Sequence, residues 1–227
     1  MEQMHRLIRP ISEPEALSHA REALFSKWNE LTGEDRAQIR DALLQMQNKR
    51  CAYCESTISD SPKSNDRGHI EHFCRKASAF FPELMFEWNN LFYSCPNEDT
   101  CGHNKDKTVK NKEQNMLLIH PCNDNPEDFF VFESNGRIAV KSNLNELQRK
   151  RAEFTIEAFN LNNSDLVEAR KNTQLQYVGW LENLNLDIPE DQLQGLVTYC
   201  LQELPSDVPF ITAIRHFVRD IEREDVS

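Results

Sequence analysis

The residues able to do chemistry lie close together in this chain: Cys51 and Cys54 in a Cys-x-x-Cys pair, Cys95 and Cys101 later, and Glu71-His72, Asn90 and His103 between or just after them. A Cys-x-x-Cys turn lets two sulfurs reach one ion, and four thiolates close a tetrahedral zinc site with no position left for substrate. Such a zinc serves folding. The second pair is more widely spaced and less diagnostic, although Pro96 and Gly102 supply turn chemistry around it. Glu71 beside His72 is a different kind of pair. An imidazole can activate water, and a divalent cation held by a carboxylate can neutralise charge on a departing oxygen, which together are the needs of phosphodiester hydrolysis. His103, drawn in by the zinc, is a second ligand for that cation, and Asn90 is placed to bond backbone or imidazole and so orient His72.

The elements that must position these groups follow from pattern. Leu17, Ala20, Leu24, Trp28 and Leu31 recur at helical spacing after Pro14, and Thr32 with Asp35 reads as a capping box opening a second helix through Ile39, Leu43 and Met46. The polar stretch from Ser56 to Gly68 reads as a loop. A short strand over 68–73 then puts His69 and Glu71 on one face and Ile70 and His72 on the other. Residues 103–112 carry part of a helix, Leu117-Leu118-Ile119 is expected as a buried strand, and Asn135-Gly136 between two apolar runs signals a hairpin. From about Leu144 onward the pattern is helical: one helix through Phe154 and Ala158, a new cap at Asn163 or Ser164, a helix with Leu193, Leu196 and Cys200, and a last stripe of Phe210, Ile214, Phe217 and Ile221.

At 227 residues the chain can bury its own core, and its formal net charge of -11 excludes non-specific coating of nucleic acid. A local site is not excluded, because Arg67, Arg75, Lys76, Lys105, Lys107, Lys110 and Lys112 concentrate around the candidate chemistry. The start of the chain has no apolar targeting segment, and no window approaches a membrane span, so the expected location is cytoplasmic with no membrane partner. Cys74, Cys122 and Cys200 remain as free thiols.

The ordered set CAYCE, IEHF followed by RK, WNNLFYSC and CGHNKDK resembles the HNH endonucleases and, within them, the PtuB-type HNH effectors of Septu and retron-associated antiphage systems. That resemblance implies an α+β fold: a zinc-framed ββα-metal HNH core over 51–142 with its β-hairpin, N-terminal helices over 1–50 and a helical C-terminal region over 143–227. It implies Glu71 and His103 as ligands of catalytic Mg²⁺ or Mn²⁺, His72 as general base, Asn90 as orienting residue, Lys107 on substrate phosphate, and Cys51, Cys54, Cys95 and Cys101 on structural Zn²⁺. Gly102 stands between Cys101 and His103, so Asn104 is an alternative to His103, and His69 is a further candidate ligand. The implied partners are nucleic acid (DNA, or RNA such as tRNA), a PtuA-like ABC-type ATPase and, in retrons, a reverse transcriptase with its RNA-templated DNA (msDNA). The implied role is a toxic nuclease restrained until infection. Two competing readings are a zinc-stabilised, non-catalytic module that binds nucleic acid or the ATPase, and a redox switch on Cys51 and Cys54.

Overall fold

A computed structural model describes residues 6–59, 67–183, 204 and 208–224. The chain is α+β, with seven α-helices and two small antiparallel sheets among the described residues. Helix α1 (Glu15–Glu22) buries Ala16, Leu17 and Ala20. It stops earlier than its apolar stripe suggests: Leu24 takes a positive φ of 57°, and Phe25 N donates to Ala20 O at 2.9 Å in a Schellman-type closure. Trp28 and Leu31 therefore lie on a separate short turn and loop. Helix α2 (Gly33–Met46) opens on the expected capping box, with Asp35 N donating to the Thr32 hydroxyl and Thr32 N donating to the Asp35 carboxylate. At its end Gln47 is buried with its amide satisfied. Nε2 donates to Arg50 O and Tyr93 O, and Oε1 accepts from Tyr93 N at 2.8 Å. One side chain thus fixes the entry to the cysteine turn against the following sheet.

That sheet pairs β1 (His69–His72) with β2 (Leu91–Ser94), in the register His69↔Ser94, Ile70↔Tyr93, Glu71↔Phe92 and His72↔Leu91. Helix α3 (Cys101–Thr108) follows and lies against it, Gly102 N donating to Ser94 Oγ at 3.1 Å and Cys101 N donating to Phe159 O at 2.8 Å. Residues 112–117, next along, form helix α4 (Lys112–Leu117), capped by Asn111, whose side chain accepts from Gln114 N at 2.8 Å. The strand expected at 117–119 is therefore absent; Ile119 N donates to the Thr155 hydroxyl rather than to a ladder. Strands β3 (Phe130–Phe132) and β4 (Ile138–Val140) make the expected hairpin. Of Asn135 and Gly136 only the glycine has positive φ, at 85°, with Glu133 N donating to Arg137 O across the base, so the turn is longer than the two-residue form.

Helices α5 (Glu146–Ala158), α6 (Ser164–Asn183) and α7 (Ile211–Glu224) complete the chain. Buried Arg170 on α6 donates to Gly136 O and Leu161 O, tying the helix to the hairpin tip. One apolar core runs from Leu7 through the sheet and α5 to Phe210 and Ala213. The helix expected around Leu193, Leu196 and Cys200 lies outside the described residues. Among the described residues no helix is long and apolar enough to cross a membrane.

Candidate metal and hydrolytic site

The cysteine frame forms from three elements. The Cys51–Cys54 turn is closed by Glu55 N donating to Cys51 O and Cys51 N donating to Ser56 O; Cys95 leaves β2, and Cys101 opens α3. Donor atoms of all four cysteines lie within 4.8 Å of one another, and all four are buried. The Cys54 and Cys95 sulfurs are 3.9 Å apart. Zn–S bonds of about 2.3 Å place tetrahedral sulfurs roughly 3.8 Å apart, so the frame fits zinc. Burial pushes the Cys51 and Cys101 thiols well up, while hydrogen bonds from the other three cysteines pull Cys95 well down. A cation is what lets four crowded sulfurs all be thiolates.

Alternation along β1 divides the remaining groups between two faces. On the α3 face, the buried Glu71 carboxylate has Oε1 2.6 Å from Lys105 Nζ and Oε2 3.4 Å from His69 Nε2. The His103 ring lies against His69 with centroids 4.1 Å apart. Burial alone would raise the Glu71 pKa; the Lys105 charge and the hydrogen bonds from His69 and Lys105 outweigh it and hold the carboxyl down to about 2. An ionised carboxylate with one imidazole beside it offers donors of the types a divalent cation takes, although among the described residues the four cysteines alone bring three or more such donor atoms within 4.8 Å of one another.

On the other face, His72 is 4 % exposed and packs edge-on to Trp28. Its Nε2 lies 3.0 Å from Met85 O; a carbonyl only accepts, so Nε2 carries the proton and Nδ1 the lone pair, which faces Lys76 Nζ at 3.4 Å. Burial, then the Lys76 charge, lowers the His72 pKa to about 3. Asn90 takes the backbone option: Oδ1 accepts from Cys74 N at 2.6 Å, and Nδ2 donates to Cys74 O and Leu84 O. It thereby braces both the chain leaving β1 and the segment whose next carbonyl, Met85, orients His72.

The structure sets His69 against Glu71 on one side and His103 on the other, and turns His72 to the opposite face of β1. Asn104 points elsewhere, donating to Glu157 O and Ala158 O. Lys107 binds Glu98 O and Asp99 on the outer side of α3, and the lysine that meets Glu71 is Lys105. Sequence reasoning named Lys105 only as one of a basic cluster and Trp28 only as a helix position, and it did not single out Asp106 or the close approach of Gly102 to Glu71. The signal was a helical period counted from Cys101, which returns Lys105 to the face of α3 that packs against β1.

No family model matches the chain. It is 28% identical over 174 residues to the Septu protein PtuB of Bacillus mycoides, covering 65% of this chain and 56% of that one. It is 28% identical over 138 residues to "Retron Vc95 putative HNH endonuclease" of Vibrio cholerae, covering 59% and 62%. The chain is similar to the PtuB-type HNH effectors of antiphage systems. It spans little more than half the length of these curated relatives. A 113-residue segment, half of this chain, is also 34% identical to 14% of the Septu protein PtuA of Bacillus mycoides.

Proposed function

We propose that the chain is a metal-dependent HNH endonuclease in which β1, β2 and α3 form the ββα-metal core. The observation that carries this is the tautomer of His72: with Nε2–H committed to Met85 O, the lone pair on Nδ1 is the one that can receive a proton from water once Lys76, 3.4 Å away, turns to the substrate phosphate. Asn90 acts through the backbone that carries Met85, as a positioning residue. Glu71 and His103, with His69 alongside, would hold Mg²⁺ or Mn²⁺, which when bound supplies positive charge to the scissile phosphate and the leaving 3′ oxygen. Lys76 near His72, and Arg75 beside it in sequence, supply fixed charge for a phosphate, with Lys107 reaching the substrate backbone farther out. Zinc on Cys51, Cys54, Cys95 and Cys101 keeps α3 against β1 and takes no part in the reaction.

The substrate is nucleic acid, DNA or an RNA such as tRNA. Similarity to proteins named PtuB, and to part of one named PtuA, supports action beside a PtuA-like ATPase as a toxic defence effector; the retron relative extends this to a reverse transcriptase and its msDNA. The acidic chain relies on such a partner to position substrate. A His72→Ala protein that folds and keeps zinc, assayed on labelled DNA and total RNA with Mn²⁺ and the partner ATPase, loses cleavage. Equal cleavage by the variant refutes the assignment of His72, and no cleavage by either protein favours the reading of a non-catalytic binding module.

A further inference from the structure

Lys105 has no solvent exposure, and four oxygens surround its ammonium: Glu71 Oε1 at 2.6 Å, His72 O at 2.7 Å, Asp106 Oδ1 at 3.0 Å and Phe73 O at 3.2 Å. Two carboxylates and two backbone carbonyls are the ligand types that hold hard divalent cations. Here a fixed monovalent charge sits among them. Asp106 is also 3.3 Å from Arg75 Nε, so these two carboxylates already face two cationic side chains. A divalent ion arriving at Glu71 meets a carboxylate with one oxygen in an ion pair, and it meets the repulsion of an ammonium that water does not screen.

We propose that Lys105 is an internal competitor for the divalent cation at Glu71, its ammonium neutralising that carboxylate in the resting chain and withdrawing from Oε1 when the metal binds. The inference rests on the reading of Glu71 as a cation ligand and adds the device that keeps its affinity low. It accounts for placing a lysine where burial is costly: a permanent counter-charge stabilises Glu71 without metal, whereas an unpaired buried carboxylate would not persist. Metal and lysine then exchange at one oxygen.

The test is Mn²⁺ titration followed by electron paramagnetic resonance on the zinc-loaded chain and on Lys105→Gln, with zinc content and circular dichroism measured on both. The variant binds Mn²⁺ at least about tenfold more tightly, a shift of about 1.4 kcal/mol. A folded, zinc-loaded variant that binds Mn²⁺ no more tightly than the unaltered chain overturns the proposal. Because losing Lys105 strands Glu71 and can cost the fold, a crystal structure of the unaltered chain with Mn²⁺ gives a second arm. Lys105 Nζ then lies beyond ion-pair reach of Oε1, and metal bound at Glu71 with that ion pair still intact overturns the proposal. Should cleavage need Mn²⁺ while Lys105→Gln leaves its affinity unchanged, this inference alone fails. Should neither protein bind Mn²⁺, the cation reading of Glu71 fails with it.

Discussion

Replacing Gly102 by Ala tests whether α3 packs on Glu71 as described, because two effects of opposite sign compete. Alanine is the better helix former, by about 1 kcal/mol, and on propensity alone the variant gains stability. Yet a Cβ at position 102 would lie 2.7 Å from Glu71 Oε2, 2.8 Å from Cδ and 3.0 Å from Cγ. Carbon contacts settle near 3.5 Å or more, so the carboxyl must retreat by roughly 0.7 Å. It has little freedom to do so, being 5 % exposed and paired with Lys105 at 2.6 Å. Overpacking of this kind costs about 1–3 kcal/mol, which cancels or outweighs the propensity gain and leaves the variant up to about 2 kcal/mol less stable, with weakened Mn²⁺ binding. Urea unfolding of the zinc-loaded proteins reads the first quantity and Mn²⁺ titration the second. A variant more stable than the parent with unchanged Mn²⁺ affinity refutes the packing of α3 on β1.

Removing zinc with a strong chelator should abolish the cooperative unfolding transition or lower its midpoint steeply, since four buried sulfurs lose their common partner; an unchanged melt contradicts the cysteine frame. Glu55→Ala should cost about 1–2 kcal/mol in urea unfolding, because the Glu55 carboxylate accepts from both the backbone N and the hydroxyl of Thr212 in the first turn of α7; a change below about 0.3 kcal/mol would count against this docking. Acid should destabilise the fold through His120, whose Nδ1 accepts from Cys122 N and Asn123 N at 3.1 Å. Burial, then the Arg9 charge, lowers its pKa to about 4. The unfolded chain therefore binds more protons between pH 6.5 and 4, and this contribution is intact above pH 6.5 and lost as pH falls towards 4. At about 1.4 kcal/mol per unit, discounted for partial exposure, the loss is of order 2 kcal/mol. Urea midpoints between pH 7 and 4.5 should fall less steeply for His120→Gln, and parallel slopes would exclude His120 as the source.

Local signals were read well where local chemistry decides. The Thr32–Asp35 capping box, the Asn-Gly hairpin and the four-cysteine frame are set by residues a few positions apart or by one ion's geometry. Two errors came from termini: the αL closure at Leu24 cut a periodic stripe, and the Asn111 cap turned residues 112–117 into helix. The division of the site by strand face was legible from alternation at His69, Glu71 and His72. The burial of Lys105 was not, because a lysine in a polar run reads as solvated and its partner Glu71 comes from another element. Asn90 showed a similar limit: its type announced hydrogen bonding, but only the fold decides between imidazole and the backbone of Cys74 and Leu84.

The central claim, that the zinc-framed face of β1 and α3 supports hydrolysis through a second, exchangeable cation, is tested most directly by cleavage of labelled nucleic acid. The zinc-loaded chain, with its partner ATPase present, is assayed with Mn²⁺ added and with Mn²⁺ withheld. Strand scission only when Mn²⁺ is present, at constant zinc content, is the predicted result; cleavage that is equal in both conditions, or absent from both, contradicts it.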